Sequence, residues 1–196
     1  MSEQNISFIA HHILKGGVAL YPTDTLYALG SSIFDENAVR KVFEIKKRPF
    51  TEPLPVAVDS EVKLEEIVFL NDDAKRLIDV FLPGPLTIVL KKRDVPDVVT
   101  AGKLTVAVRI PGNDKALKLL SETGPLTVTS ANIHGKPVLG GVEEIRRQLG
   151  VDLPAIDDGW LSGDPSTIVD LTADKPMVLR EGIISKGRIM DVIDDG

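Results

Sequence analysis

The chain of 196 residues contains no cysteine, and only 5% of its residues are aromatic. Without cysteine the protein can form no disulfide, use no thiolate nucleophile and hold no cysteine-ligated zinc, and this composition fits a reducing compartment. No apolar run approaches the roughly 20 residues of a membrane span. The first residues, MSEQNISF, lack the basic and apolar regions of a signal peptide. We therefore expect a cytoplasmic protein that has no contact with a membrane.

Two familiar kinds of site are also missing. The sequence has no G-x-x-x-x-G-K-[ST] motif, which makes a P-loop ATPase or a generic kinase a weak interpretation. Its histidines are not spaced as metal ligands, because His11 and His12 are adjacent on a predicted helix and His134 is remote from both. We expect no protein-bound metal site. The net charge of -6 argues against a protein that coats nucleic acid, but it leaves room for a local basic groove.

Helical and strand patterns alternate along the whole sequence. The predicted helices are 6–14, 37–47, 60–68, 72–81, a helix capped by Asn113 and stopped at Gly124, and 142–149. The predicted strands are 18–21, 54–58, 86–91, 105–110, 126–129, 166–171 and 177–180. Alternation of this kind favours an α/β fold, and the Pro-Gly-Pro turn at 83–85 suggests that some strands pair antiparallel.

These patterns predict one domain over residues 1–196, with a core at about 6–182 and a loosely patterned tail at 183–196. The sequence has no internal repeat, low-complexity segment or long linker, which supports a single domain. We predict a twisted sheet of mixed parallel and antiparallel strands with flanking helices. The acidic end of the tail, Asp191 to Asp195, is predicted to be a solvated terminus.

Polar side chains collect at the predicted ends of these elements. Lys46 and Arg48 end a helix, Ser130 and Asn132 follow a strand, and Arg109 closes another strand. Element ends on a rigid scaffold commonly carry function, and cations, hydroxyls and an amide together suit an anionic, hydroxylated ligand such as a nucleotide.

Each of these groups also has a simpler interpretation. Cations at a helix end can be a solvated face favoured by the helix dipole. Ser130 and Asn132 belong to residue types that form local turns, and Thr23 to Thr25 could be a turn or cap cluster after a strand. A lone arginine such as Arg109 is most often a surface charge.

Seven segments together resemble one protein family, and they occur in its order. They are GGVALYPTDTLYALG (16–30), IKKRP with PLPV (45–56), PGPLTIVLK (83–91), TVAVRIPGN (105–113), PLTVTSANIHGKP (125–137), PSTIVDLT (165–172) and VLREG (178–182). The chain thus resembles the YrdC-like family of L-threonylcarbamoyladenylate synthases over residues 16–182. The resemblance implies a YrdC-like fold with a concave basic groove.

The resemblance also implies a nucleotidyltransferase. Its reaction would form threonylcarbamoyl-AMP and pyrophosphate from L-threonine, bicarbonate and ATP, with Mg2+ beside the ATP, for threonylcarbamoyladenosine modification of tRNA. The implied partners are tRNA or double-stranded RNA and proteins of the same tRNA modification pathway.

Residue roles follow by matching the family's motifs to this sequence. The residues expected to contact ATP are Lys46, Arg48, Thr105, Asn132 and Arg180. Those expected to contact threonine are Thr25, Tyr27, Arg109, Ser130 and Ser166. The expected catalytic set is Lys46, Arg48, Ser130 and Asn132. Ser130 is not in a G-x-S-x-G elbow, so we do not interpret it as a nucleophile.

The chain departs from the family pattern at a few positions. Ala28 stands where the family usually has glycine, and Ala57 stands where a histidine commonly contacts threonine, which predicts weaker threonine binding or a different amino acid. The stretch from Val151 and the YALG tetrapeptide are closer to the YciO branch, whose members lack the Lys-x-Arg and Ser-x-Asn pairs. This chain keeps both pairs, so we favour synthase activity. The alternative is a YciO-like paralogue that binds nucleotide, tRNA or double-stranded RNA without synthase activity.

Overall fold

The computed structural model describes residues 3–161 and 163–194, in which helices and strands alternate along the chain. The helices are α1 (Glu3–Leu14), α2 (Glu36–Lys46), α3 (Glu61–Ile67), α4 (Asp72–Phe81), α5 (Asp97–Thr100), α6 (Asp114–Thr123), α7 (Val142–Leu149) and α8 (Lys186–Asp194). The strands are β1 (Ala19–Pro22), β2 (Tyr27–Gly30), β3 (Val56–Ala57), β4 (Leu86–Lys91), β5 (Thr105–Arg109), β6 (Leu126–Thr127), β7 (Thr129–Ser130), β8 (Thr167–Asp170) and β9 (Met177–Arg180).

Local chemistry explains where several helices begin and end. Helix α6 begins after the predicted cap, Asn113, whose side-chain oxygen accepts hydrogen bonds from two N–H groups of the first turn at 3.0 and 3.1 Å. Helix α2 ends at Lys46 and is followed by Lys47, which takes a left-handed conformation with φ of 51°. This conformation is uncommon for a residue other than glycine, and it turns the chain sharply just before Arg48 and Pro49.

The strands form two sheets. The larger has the order β6-β3-β5-β4-β8-β9, in which β3 is parallel to β5, β4 is parallel to β8, and the other neighbours are antiparallel. The smaller sheet, β1-β2-β7, is antiparallel. The predicted α/β fold with a mixed sheet and flanking helices is confirmed, and the smaller sheet adds a layer that the sequence did not predict.

Predicted strand 126–129 is divided between the sheets. Leu126–Thr127 pairs with β3 in the larger sheet, whereas Thr129–Ser130 pairs with β2 in the smaller one. Between them, the N–H of Val128 donates to the carbonyl of Pro55 at 2.9 Å. The chain therefore passes from one sheet to the other just before the Ser-x-Asn motif.

The tail forms helix α8, which its loose pattern did not predict, whereas Asp191 and Asp194 are exposed on that helix, in agreement with the expected solvated terminus. Helix α8 packs on α4. Ile189 is fully buried, and the guanidinium of Arg188 lies 5.4 Å from the ring centre of Phe81. These contacts hold the tail helix against the rest of the protein, which its acidic composition did not indicate. Asp195 lies outside the described residues.

Two hydrophobic clusters fill the spaces between the layers. The first includes Phe43 of α2, Leu77 of α4 and Ile88 of β4. The second joins α1 to α6 through Ile13 and Leu119, which are fully buried. Each such side chain contributes about 1.5–3 kcal/mol to the stability of the fold by leaving water. Both sheets are therefore held in place by a packed hydrophobic core. Within residues 3–161 and 163–194, no helix has the length and apolar character needed to cross a membrane.

Candidate active site

A cavity of about 460 Å³ lies between the two sheets. Successive side chains of a strand alternate between its two faces. The cavity is therefore lined by every second residue of two strands, namely Thr87 and Val89 of β4 and Ala107 and Arg109 of β5. Thr129 and Ser130 of β7, together with the loop between β1 and β2, contribute lining from the smaller sheet. The volume lies in the range of about 300–1,000 Å³ typical of pockets for small ligands.

Arg48 lines the cavity from the turn that follows α2. Its guanidinium donates to the carbonyls of Glu52 and Pro53 at 3.2 and 3.1 Å, and it lies 3.3 Å from the Glu52 carboxylate. Partial burial lowers the pKa of Arg48 while Glu52 raises it. Because arginine keeps its proton in proteins, this group presents a fixed cation to the cavity.

Arg109 lies at the end of β5, and its side chain is only 5% exposed. It donates to Asp24 Oδ1 at 2.6 Å, to the Gly84 carbonyl at 3.0 Å and to Thr25 Oγ1 at 3.1 Å. Burial lowers the pKa of Arg109, and the carboxylate of Asp24 acts in the opposite direction. The interpretation of Arg109 as a lone surface charge is therefore wrong.

Arg180 of β9 is held by Ser166. Its guanidinium donates to the Ser166 carbonyl at 3.1 and 2.9 Å and to Ser166 Oγ at 3.2 Å. Burial, together with the nearby charge of Arg109, lowers the pKa of Arg180. Within the part of the chain that the structure describes, Arg180 has no carboxylate partner, unlike Arg48 and Arg109. Its charge is thus the least compensated of the three that line the cavity.

Lys46 is almost completely buried, with 1% of its surface exposed, and does not line the cavity. Its ammonium group donates to the carbonyl of Ser130, to the carbonyl of Asn132 at 2.9 Å and to Asn132 Oδ1 at 3.3 Å. Burial and the charge of Arg48 lower the pKa of Lys46 to about 7. The carbonyl oxygens favour the charged form and so oppose this shift.

The Ser-x-Asn motif thus rests on the buried lysine. Ser130 Oγ donates to Asn132 Oδ1 at 2.6 Å, and Asn132 Nδ2 donates to the Lys136 carbonyl at 2.7 Å. Ser130 lines the cavity, whereas Asn132 lies behind it and is buried. The two motifs, separated by more than eighty residues, form one hydrogen-bonded unit.

Hydroxyl groups line the side of the cavity nearest Arg109. Thr23 Oγ1 and Thr25 Oγ1 lie 2.9 Å apart in the loop between β1 and β2. Tyr27 donates to the Gly159 carbonyl at 2.8 Å and accepts from the N–H of Asp158 at 2.7 Å. Burial raises the pKa of Tyr27 to about 12, so it remains a neutral hydroxyl at physiological pH.

The structure brings most of the predicted site residues to this one cavity. The predicted residues that line it are Thr25, Tyr27, Arg48, Arg109, Ser130, Ser166 and Arg180. Lys46 and Asn132 support it from behind. Thr105 begins the strand that Arg109 ends, and it lies outside the lining.

Ala57 does not belong to the lining either. It is fully buried in the second hydrophobic cluster, and it pairs with Leu126 across β3 and β6. Ala57 is nevertheless the register partner of Arg109 on the neighbouring strand β5, so the expectation that this departure changes threonine binding stays a prediction.

Sequence reasoning missed Asp24 and Thr87. Asp24 binds Arg109, and Thr87 lines the cavity with its hydroxyl 2.9 Å from Ser166 Oγ. Asp24 had a usable signal, because a carboxylate beside Thr25 is a candidate ion-pair partner for the predicted site residue Arg109. Thr87 had none, since a threonine inside a strand is ordinary.

Known proteins share both the sequence and the fold. A relative in Methanocaldococcus jannaschii is 42% identical over 183 residues, which are 91% of this chain and 86% of that relative. The threonylcarbamoyl-AMP synthase of Pyrococcus abyssi is 39% identical over 201 residues, which span all of this chain and 59% of that protein.

Two solved structures superpose closely on the chain. The crystal structure of P. abyssi Sua5 complexed with L-threonine matches with a TM-score of 0.93 at 38% identity, covering 98% of this chain and 58% of that one. The crystal structure of E. coli YciO matches with a TM-score of 0.86 at 33% identity, covering 96% and 93%. A family model described as Sua5_yciO_yrdC, telomere recombination, matches residues 11–182. The chain therefore belongs to the Sua5/YciO/YrdC family.

Proposed function

We propose that the chain is an L-threonylcarbamoyladenylate synthase, which forms threonylcarbamoyl-AMP and pyrophosphate from L-threonine, bicarbonate and ATP. The observation that carries this proposal is one cavity in which Arg48, Arg109 and Arg180 meet a row of hydroxyls. Such a lining suits a ligand that has phosphate, carboxylate and hydroxyl groups together. The P. abyssi relative at 39% identity is a threonylcarbamoyl-AMP synthase, which supports the same activity here.

The threonine end of the cavity is proposed to lie at Arg109. Its guanidinium binds the substrate carboxylate, and the hydroxyls of Thr25, Ser130 and Ser166 surround the rest of the amino acid. The solved Sua5 structure with L-threonine, at 38% identity, supports an amino-acid subsite in this fold.

The ATP end is proposed to lie at Arg48 and Arg180. A guanidinium offers phosphate a planar pair of donors, and both groups are held in place by neighbouring carbonyls. Lys46 acts behind this end, because its ammonium holds the backbone of Ser130 and Asn132. The Ser-x-Asn turn is then rigid before ATP arrives.

The proposed chemistry has two steps. The threonine amine forms a C–N bond with the bicarbonate carbon and water leaves, which gives a carbamate. A carbamate oxygen then attacks the α-phosphorus of ATP in line with the departing pyrophosphate. Positioning and charge neutralisation supply most of the rate in such a displacement, and Arg48 and Arg180 offset the charge that develops on the phosphates. No covalent bond to the protein is needed.

Magnesium would arrive with the nucleotide. The described residues that line the cavity include hydroxyls and guanidiniums but no carboxylate, and no cluster of metal ligands occurs among residues 3–161 and 163–194. These donors do not fit a resident Mg2+, so we treat the ion as part of the ATP substrate. The product would pass to tRNA and the proteins that modify it.

Pyrophosphate release tests this function. We expect the purified chain to release pyrophosphate from ATP only when threonine and bicarbonate are both present, because the carbamate is the nucleophile. Each substrate is left out in turn, and a coupled assay measures pyrophosphate. Equal release without threonine would refute the synthase assignment.

A second candidate, implied by the resemblance of the sequence to the YciO branch, is a nucleotide- or RNA-binding protein without synthase activity, and the chain is also similar in structure to E. coli YciO. Affinity for double-stranded RNA would then fall steeply with salt and would not respond to threonine. The intact unit of Lys46, Ser130 and Asn132 favours the synthase.

A further inference from the structure

Asp24 lies beside the cavity in the loop between β1 and β2. One oxygen, Oδ1, accepts a hydrogen bond from Arg109 Nη2 at 2.6 Å and another from the N–H of Gly112 at 3.0 Å. The carboxylate therefore joins this loop both to the end of β5 and to the segment that follows it. Its other oxygen, Oδ2, is buried and has no hydrogen-bond partner among the described residues.

The hydrogen bonds of Arg109 fix the orientation of its guanidinium. Arginine has five N–H groups in a rigid plane. Both hydrogens of Nη2 are used, by Asp24 and by the Gly84 carbonyl, and Nη1 donates one hydrogen to Thr25. Among the described residues, the second hydrogen of Nη1 is what remains for a ligand, because Nε is buried and has no hydrogen-bond partner there.

Gly84, which supplies the second acceptor, is itself tightly placed. A Cβ atom at this position would lie 2.4 Å from the Phe81 carbonyl oxygen, so only glycine fits without a shift. The N–H of Gly84 donates to the Ile110 carbonyl at 2.9 Å, which secures the same segment to the strand of Arg109. Asp24 and Gly84 therefore hold Nη2 from two rigid positions.

We propose that Asp24 is a positioning residue that aims the Arg109 guanidinium at the carboxylate of the amino-acid substrate. This inference rests on the proposed function, because it concerns the same amino-acid subsite. Asp24 does not line the cavity, so it acts through Arg109 rather than by contact with the ligand. A simpler role, compensation of the buried Arg109 charge alone, requires a negative charge nearby but no particular position.

Two substitutions separate these roles. Asp24→Asn keeps the shape and one acceptor oxygen but removes the charge, whereas Asp24→Glu keeps the charge and moves the carboxylate outward by one methylene. If Asp24 positions Arg109, Asp24→Glu weakens threonine binding by about 10- to 100-fold, because the displaced carboxylate turns the guanidinium away and a charge-assisted hydrogen bond to the substrate is lost. Asp24→Asn weakens it by only about fivefold, the difference between a charged and a neutral hydrogen bond.

Calorimetric titration of L-threonine and of ATP into each folded variant measures the effects. Positioning predicts the larger loss in Asp24→Glu, with ATP affinity unchanged in both variants. A larger loss of threonine affinity in Asp24→Asn than in Asp24→Glu, or an equal loss of threonine and ATP affinity, overturns the proposal. If thermal melting shows that Asp24→Glu does not fold, the size of the loss in Asp24→Asn decides: a loss of about fivefold for threonine with ATP affinity unchanged supports positioning, and a larger threonine loss, no loss, or an equal loss for both ligands rejects it.

A matched control is Asp73→Asn, which neutralises an Asp–Arg pair on α4 with an N–O distance of 2.7 Å. It should leave both affinities at the wild-type value. If the wild-type protein binds no threonine, the result counts against the proposed function itself. If the wild type and both Asp24 variants bind threonine equally well, the result rejects only the role of Asp24.

Discussion

Replacement of Arg109 by methionine is expected to lower the free energy of unfolding by about 3–5 kcal/mol, the cost of leaving one partner of a buried ion pair uncompensated. The reason is that the Asp24 carboxylate, whose side chain is 14% exposed, loses its nearest cation. Threonine binding should also fall below detection in calorimetry, because the only guanidinium that contacts Thr25 is removed from the described site.

A double variant separates stability from binding. Adding Asp24→Asn to Arg109→Met removes the orphaned charge, so denaturant titration should show that most of the lost stability returns. Threonine binding should stay absent, since the carboxylate still has no guanidinium to meet. Recovery of threonine binding in the double variant would show that Arg109 is not the group that recognises it.

Replacement of Lys46 by methionine is expected to change how stability depends on pH. Lys46 has a pKa of about 7 in the folded protein, against an ordinary value of 10.5. Between these two values the unfolded chain binds a proton at Lys46 that the folded protein has released, so wild-type stability rises with pH there. The slope reaches about 1.4 kcal/mol per pH unit.

The comparison of wild type with Lys46→Met isolates this contribution. From pH 7 to pH 9, wild type should gain about 2 kcal/mol relative to the variant. Well below pH 7, where Lys46 is protonated in both the folded and the unfolded state, the difference should be constant. Denaturant midpoints measured across this range provide the test. If the stability of wild type and of Lys46→Met depends on pH in the same way, the carbonyls of Ser130 and Asn132 keep Lys46 charged over the whole range from pH 7 to pH 9.

The sequence predicted helices and strands correctly where a few adjacent residues determine where they begin and end. Asn113 identified the start of α6, and the run from Leu86 to Lys91 gave the bounds of β4 as observed. Strand β2, the YALG segment, was missed because it is only four residues long and ends in glycine, which weakens a strand pattern. Helix α8 was missed because its single fully buried residue, Ile189, gives a weak pattern.

The sequence predicted many of the residues that line the cavity but not their contacts. The motifs correctly indicated that Arg48, Ser130 and Arg180 would meet in one cavity. No spacing could show that the Lys46 ammonium reaches the carbonyl oxygens of Ser130 and Asn132, because the passage of the chain between the two sheets brings them together. Burial and partners of this kind depend on tertiary structure, and they decide whether a cation binds ligand directly or supports the residues that do.

The most direct test of synthase activity is the identity of its product. The chain is incubated with ATP, L-threonine and carbon-13-labelled bicarbonate, and the adenylates are separated and weighed by mass spectrometry. We predict threonylcarbamoyl-AMP that carries the label, formed together with pyrophosphate and absent when threonine is left out. Formation of AMP and pyrophosphate without any labelled adduct, or no turnover with all three substrates present, would contradict the proposed function.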